Sequence, residues 1–190
     1  MTDVLSPYPD SSAGAEIVNQ TKIWLERAVI GLNLCPFAKS VFVKKQVRYA
    51  VTGASTPDDL LAELEHELAL LTDTDPAKLD TTLLIHPQAM TDFLDFHFFL
   101  GEVEALIRNL GFEGIYQIAS LHPQYEFVGS EPDDIANFTN RSPYPTLHLL
   151  RESSIDRAVA AFPEAETIFE RNIETMDRLG HEGWKKLWLS

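Results

Sequence analysis

Two histidines occupy equivalent positions at the ends of two predicted strands. His86 follows the apolar run 81–85, His122 follows the run 115–121, and a proline comes directly after each histidine. If these strands are parallel neighbours, both imidazoles emerge at the carboxyl edge of the sheet, where open α/β sheets bind ligands. An imidazole there can transfer protons. The alternative is that each His-Pro pair only ends its strand, because proline cannot extend a ladder of backbone hydrogen bonds.

A dense set of polar side chains follows in the loop after the second of these strands. Such groups, in a loop punctuated by prolines, are costly to order unless they find partners. We expect Arg141 to clamp a carboxylate or phosphate, Asn140 to orient it, and His148 or His122 to move protons. The alternative is a network that ties the loop to the sheet. The predicted ligand-binding residues are Asn140, Arg141, Asp134, Asn137, Arg151 and His86.

Metal binding rests on residue types alone. His86, His122, His148 and Asp134 are of the kinds that bind zinc or iron. Their spacing matches no HExxH, CxxC or calcium-loop pattern. The sequence therefore leaves the cofactor open, a divalent metal included.

Cys35 joins His122 and His148 as a candidate catalytic residue. Pro36 favours the first turn of a helix, and a thiol at a helix N-terminus gains nucleophilicity from a lowered pKa. A thiol mechanism with His122 requires the two side chains to lie within hydrogen-bond distance. Because apolar residues flank Cys35 on both sides, the alternative is a small buried hydrophobic residue. The motifs of serine hydrolases, nucleotide hydrolases and dinucleotide-binding proteins are absent from the sequence.

Hydrophobic periodicity and turn residues predict the elements that position these groups. The predicted strands cover residues 41–52, as one strand or a bent pair, then 81–85, 115–121 and 146–151. The predicted helices cover 13–31, a short turn from Pro36, 56–72, 91–111, a turn near 132–138, 153–161 and 163–179. A Ser153-x-x-Asp156 box is expected to cap the helix at 153, and Gly180 to end the last helix before an aromatic tail.

The alternation of strands and helices predicts an α/β fold. The βαβαβ order favours right-handed crossovers and a small, mostly parallel sheet of three or four strands, in a two-layer or three-layer domain. A ferredoxin-like α+β sheet is the alternative. The 190 residues, 45% of them hydrophobic, suffice for a single domain over 13–190. Residues 1–12 are rich in Pro, Ser and Asp and are predicted to form a disordered or loosely packed tail.

Charge and composition exclude several classes of partner. Fifteen basic and twenty-nine acidic side chains give a formal net charge of -14, which repels nucleic acid and anionic membranes. No apolar stretch approaches the ~18 residues of a membrane helix, and no signal peptide is visible. With a single cysteine, the chain suits a reducing compartment, so we expect a cytoplasmic location. A small-molecule ligand remains possible, and the oligomeric state is not indicated.

Three segments carry a resemblance to a known family. They are LNLCPFAKSV at 32–41, the His-Pro pairs that end two strands, and TNRSPYPTLHLLRE at 139–152. The sequence from about residue 15 to 178 resembles a bacterial family catalogued as domain of unknown function 1415. The resemblance supports one domain and supplies no reaction.

Two hypotheses about function stand at this point. The first is an enzyme that acts on a small polar or anionic molecule at the carboxyl edge of the sheet, centred on His122, Asn140, Arg141 and His148. The second is a non-catalytic ligand-binding or protein-interaction module in which the histidines only cap strands. Trp184 and Trp188 near the C-terminus suit the second hypothesis, because exposed tryptophans often anchor interfaces.

Overall fold

The computed structural model of the protein describes residues 11–162 and 164–189. The predicted tail, residues 1–12, therefore lies largely outside the described residues. Its last two positions, Ser11 and Ser12, belong to the first helix.

Helices and strands alternate through the first two thirds of the chain. The principal elements are α1 (Ser11–Trp24), α2 (Ala38–Val43), β1 (Val47–Val51), α3 (Pro57–Asp73), β2 (Thr81–Ile85), α4 (Phe93–Asn109), β3 (Tyr116–Leu121), β4 (Thr146–Arg151), α5 (Glu152–Ala160) and α6 (Ile168–Lys186). A π-helical segment, Leu25–Ile30, continues α1, and short 3₁₀ helices span Ile135–Thr139 and Ala165–Thr167.

Local sequence signals explain where α3 and α4 begin. The Thr56 hydroxyl accepts a hydrogen bond from the Asp59 amide at 3.2 Å, and Pro57 occupies the first turn of α3. The Asp92 carboxylate accepts from the amide of Leu94 at 2.9 Å and so caps α4. Both starts agree with the predicted helices.

Three other boundaries differ from the prediction. The predicted strand 41–52 is a strand only from Val47, because α2 runs to Val43 and a turn follows. The predicted Ser153 capping box is wrong, since α5 begins at Glu152 directly after β4 without a side-chain cap. Gly180 does interrupt the last helix as predicted, because its φ of 62° and ψ of 173° are not helical, but the predicted aromatic tail differs: a second helical segment continues after this kink to Lys186.

The sheet has four strands in the order β1-β2-β4-β3. β1 and β2 are parallel, whereas β4 lies between β2 and β3 and runs antiparallel to both. The strands β1, β2 and β3 thus share one direction, as expected. The mostly parallel sheet is not confirmed, because two of the three pairings are antiparallel. The ferredoxin-like alternative is not observed either, since its βαββαβ order differs from the βαβαββ order found here.

The reason for the antiparallel pairing is that the loop after β3 returns the chain to the edge it has just left. The amide of His122 donates to the Asn140 carbonyl at 3.2 Å, and the amide of His86 donates to the Pro145 carbonyl at 3.0 Å. β4 therefore starts where β2 and β3 end, and it must run in the opposite direction.

Helices cover both faces of the sheet, which gives three layers. Alternate side chains of each strand point to opposite faces. The face that we call the core face packs against α3 and α4, and its buried residues include Ala50, Leu84, Leu147 and Leu149. The opposite face carries Leu83, Ala119 and His148 and is approached by α1, α2, α5 and α6. None of the helices in the described part of the chain combines the length and apolar character required to cross a bilayer.

Candidate functional site

His86 and His122 lie at the same edge of the sheet, as the sequence predicted. Both side chains are fully buried, and both rings pack on Phe96 of α4, with centroid distances of 5.5 and 5.3 Å. The two imidazoles therefore belong to the core face.

The ring of His122 uses both of its nitrogens within the protein. Nδ1 accepts a hydrogen bond from the Gln124 amide at 3.0 Å, so Nε2 carries the proton and donates it to the Met90 carbonyl at 3.1 Å. Burial of the ring lowers the pKa of His122. The imidazole joins two loops to the end of β3, which supports the strand-ending alternative.

His86 has a similar environment with one difference. Nδ1 donates to the Ala89 carbonyl at 2.9 Å, and burial lowers the pKa of His86 to about 4. Nε2 is buried and meets no hydrogen-bond partner among residues 11–162 and 164–189. The neutral ring fixes the turn that leads into α4.

Arg141 is engaged inside its own loop. Nε donates to the Tyr125 carbonyl at 3.0 Å, an Nη donates to the Pro132 carbonyl at 2.7 Å, and the guanidinium lies over the Phe138 ring at 4.3 Å. These contacts stabilise the loop between β3 and β4, residues 122–145, which we call the returning loop. A guanidinium used in this way has little freedom left to clamp an anion.

Asn137 and Asp134 also act within this loop. The buried Asn137 side-chain oxygen accepts from the Phe127 amide at 2.9 Å and from the Ser130 hydroxyl at 2.7 Å. Asp134 caps the following 3₁₀ helix through the Ala136 amide at 2.9 Å. The arrangement supports the structural network that the sequence left as an alternative.

Arg151 ties β4 to the end of α3. Its guanidinium donates to the carbonyls of Leu71 and Thr74, the latter at 2.8 Å, and to the Tyr116 hydroxyl at 3.2 Å. These partners lie on the core face or at the end of α3. Arg151 thus satisfies backbone carbonyls that the end of a helix leaves open.

The other face of the sheet holds an open cavity of about 960 Å³. We call this face the cavity face. No side chain of α2 or α5, both of which are described in full, is completely buried, so these helices stand over the sheet without closing onto it. The floor of the cavity is formed by strand residues that share one face, namely Thr81, Leu83, Ala119, Leu121, His148 and Leu150.

Four of the residues predicted from the sequence line this cavity: Cys35, Asn140, His148 and Arg151. Cys35 is half-buried, and its burial raises the pKa of the thiol, although the backbone amides of Phe37 and Ala38 act in the opposite direction. The thiol is therefore protonated near neutral pH.

Hydrogen bonding assigns the tautomer of His148. The Thr81 hydroxyl has one hydrogen, which it donates to the Leu149 carbonyl at 2.6 Å. It must therefore accept from His148 Nε2, which lies 2.7 Å away. The lone pair of the ring is on Nδ1, which meets no partner in the described part of the chain. Burial lowers the pKa of His148 to about 4, so the ring is a neutral acceptor at physiological pH.

The structure separates the predicted site into two groups. His86 and His122 lie on the core face and Cys35 and His148 on the cavity face, so the pairing of Cys35 with His122 is not observed. Within the two described ranges, no group of three or more His, Cys, Asp or Glu side chains is arranged to hold a metal ion.

Charged residues at the rim of the cavity were not among the predicted site residues. Lys44, Asp80 and Arg157 border the cavity near the start of β2. The amphipathic pattern of α5 is the signal that could have drawn attention to this region, because its apolar side has no buried residue.

Fold and cavity together define an α/β protein with a four-stranded mixed sheet, helices on both faces and a ligand-sized space over one of them. Residues 16–186 match the model of a family described as a protein of unknown function (DUF1415), and the chain belongs to this family. The family resemblance seen in the sequence is thereby confirmed. No curated protein and no solved structure matches the chain.

Proposed function

We propose that this protein binds a small molecule in the cavity on the cavity face of its sheet. The observation that carries the proposal is a space of about 960 Å³, lined mainly by apolar side chains, that also presents the unpaired Nδ1 of His148. Pockets for small ligands commonly measure ~300–1,000 Å³ and combine apolar walls with a few polar groups that orient the ligand. The cavity reaches the carboxyl edge of the sheet at Leu121 and Asn140.

The contrast between His148 and His122 supports this choice of face. The Nδ1 acceptor of His148 has no partner among the described residues and is accessible from the cavity, so a ligand with a hydrogen-bond donor can bond to it. His122 offers no such opportunity, because its two nitrogens are already bonded.

Binding is tested with N-phenyl-1-naphthylamine, an uncharged dye whose fluorescence rises in apolar surroundings. We expect saturable binding that is about tenfold weaker in Ala158→Trp, because Ala158 lines the cavity and the indole would fill it. The matched control is Ala160→Trp, on the same helix but exposed and outside the cavity lining. Equal affinity of both variants and of the unmodified protein would place any binding elsewhere and contradict the proposal.

Cys35 provides a second readout, because it is the single cysteine of the chain and lines the cavity. The dye should slow alkylation of this thiol by iodoacetamide in the unmodified protein and in Ala160→Trp. An alkylation rate that does not depend on the dye would argue against occupancy of this space.

A second candidate function is thiol-dependent catalysis in the same cavity. It is favoured by one observation, that Cys35 and a neutral imidazole with a free lone pair line the same space. In this case His148 Nδ1 accepts the thiol proton while Cys35 attacks the substrate, because the resting protein holds the thiol protonated and the imidazole neutral. We then expect His148→Gln to reduce the alkylation rate of Cys35 by about tenfold at neutral pH. An unchanged rate would show that His148 does not act on the thiol and would leave the binding proposal standing.

A further inference from the structure

The charged residues that border the cavity differ in sign from the chain as a whole. The chain has a net charge of -14, yet the cavity lining contains Lys44, Arg151 and Arg157 against a single carboxylate, Asp80. The Arg151 guanidinium is bonded to backbone carbonyls near the end of α3, as described above. Lys44 and Arg157 are the exposed cations that remain for a ligand.

A chain of hydrogen bonds connects Arg157 to the backbone near Lys44, and both residues border the same end of the cavity. An Nη of Arg157 donates to the Ser154 hydroxyl at 2.9 Å, and this hydroxyl donates to Asp80 at 2.6 Å. The Asp80 amide in turn donates to the carbonyl of Gln46 at 2.9 Å, two residues after Lys44. We call this group, Lys44, Asp80, Ser154 and Arg157, the rim.

Away from the rim, the cavity floor is mainly apolar over a defined length, with Thr81 and His148 as its polar residues. From the rim, the floor continues over Leu150, Ala119 and Leu121 toward the carboxyl edge of the sheet. The four residue steps from Gln117 to Leu121 on β3 correspond to roughly 13 Å. A ligand that uses the whole floor is therefore elongated.

We propose that the ligand is a monoanionic amphiphile, with a carboxylate at Lys44 and Arg157 and an apolar body of medium length along the floor toward Leu121. This inference rests on the proposed binding function. Two cations and one carboxylate leave the rim with a single positive charge, which matches one carboxylate. Arginine and lysine both bind carboxylates, arginine with two parallel hydrogen bonds.

The first test uses the unmodified protein and three probes with the same alkyl chain. Dodecanoate, 1-dodecanol and dodecyltrimethylammonium, each below its micelle concentration, compete with bound N-phenyl-1-naphthylamine. We expect dodecanoate to displace the dye at about tenfold lower concentration than the ammonium compound, with the alcohol between them. The advantage of dodecanoate should decrease as salt is added. The negative charge of the whole protein favours the opposite order, so a preference for the cation, or none, would overturn the inference.

The second test locates the carboxylate. Lys44→Glu with Arg157→Glu should weaken dodecanoate binding by about tenfold and leave the affinity for the uncharged dye unchanged. The matched control is Lys39→Glu with Arg108→Glu, which makes the same change in net charge at exposed positions outside the cavity lining. If the dye still binds but the rim variant keeps its affinity for dodecanoate, this inference fails alone. If the dye does not bind the unmodified protein, the proposed function itself fails. If the rim variant does not fold, the comparison of the three probes on the unmodified protein decides whether the inference holds.

Discussion

The carboxyl edge of the sheet and the cavity face are two regions with similar residues and different uses of them. Each contains a neutral imidazole whose pKa is lowered by burial. At the edge, both nitrogens of His122 form hydrogen bonds with loop backbone. On the cavity face, one nitrogen of His148 bonds to Thr81, and the other has no partner among the described residues. Residue type therefore does not separate a structural histidine from a ligand-binding one. His86 at the edge also has a nitrogen without a partner among the described residues, but that nitrogen is enclosed in the core, so what distinguishes His148 is an unpaired nitrogen beside open space.

The density of polar residues in the returning loop follows the same rule. Asp134, Asn137 and Arg141 bind carbonyls, amides and hydroxyls of their own loop. A long loop has many backbone groups to satisfy, and polar side chains supply the partners. At the edge, a concentration of polar residues marks a loop that is well ordered, while the cavity is marked by apolar residues that stay incompletely buried.

The largest expected effect compares the two histidines directly. His122→Ala removes two hydrogen bonds and a fully buried ring, and it leaves the Met90 carbonyl and the Gln124 amide without partners. We expect the free energy of unfolding to fall by about 4 kcal/mol. His148→Ala should cost about 1 kcal/mol, because Thr81 keeps its bond to Leu149 and the ring already borders open space. Urea unfolding of both variants measures the difference, and equal losses would contradict the distinction between the two regions.

Acid should destabilise the protein through the histidines of both regions. The pKa values of His86 and His148 are about 4 in the folded protein, against 6.5 for the unperturbed side chain. The unfolded chain thus binds more protons between these values, so stability is complete above pH 6.5 and decreases as the pH falls toward 4. Each histidine contributes a loss of roughly 3 kcal/mol at most. The cavity admits solvent to one side of His148, so its contribution should be the smaller of the two.

His148→Asn isolates the share of this acid destabilisation that comes from the histidine of the cavity face. Urea unfolding between pH 7 and pH 4.5 should show a shallower loss of stability than in the unmodified protein. An identical pH dependence would mean that His148 is solvated well enough to titrate normally.

The sequence supports a good part of the fold because several of its signals are local. The threonine and aspartate caps of α3 and α4, the buried run of β2 and the common direction of β1, β2 and β3 all follow from residues close together in the chain. The position of β4 does not, since its partners are residues 81–85 and 116–121, far away in sequence. A strand that inserts between two others is specified by long-range packing.

The candidate site was only partly predictable for a related reason. The shared edge of His86 and His122 follows from strand direction, but both histidines come after their strands end, so alternation does not assign them to a face. His148 lies inside β4, where Leu147 and Leu149 point to the core face, and alternation puts it on the other face. The cavity itself depends on how far α2 and α5 stand from the sheet, and no local pattern specifies that distance.

The last comparison concerns two adjacent residues, Arg141 and Asn140, and the smallest expected effect is that of Asn140. Arg141→Ala removes two hydrogen bonds and the contact with Phe138, and we expect unfolding to become easier by about 2 kcal/mol with no change in dye affinity. The Asn140 side chain lines the cavity and makes no hydrogen bond within the described residues. Asn140→Ala should therefore change stability by less than about 0.5 kcal/mol. Dye binding, measured by fluorescence, should weaken a few-fold in Asn140→Ala alone, because the amide is free to bind the N–H of the dye. If Arg141→Ala instead weakened dye binding and left stability unchanged, the returning loop would be the recognition element and the cavity would not be the binding site.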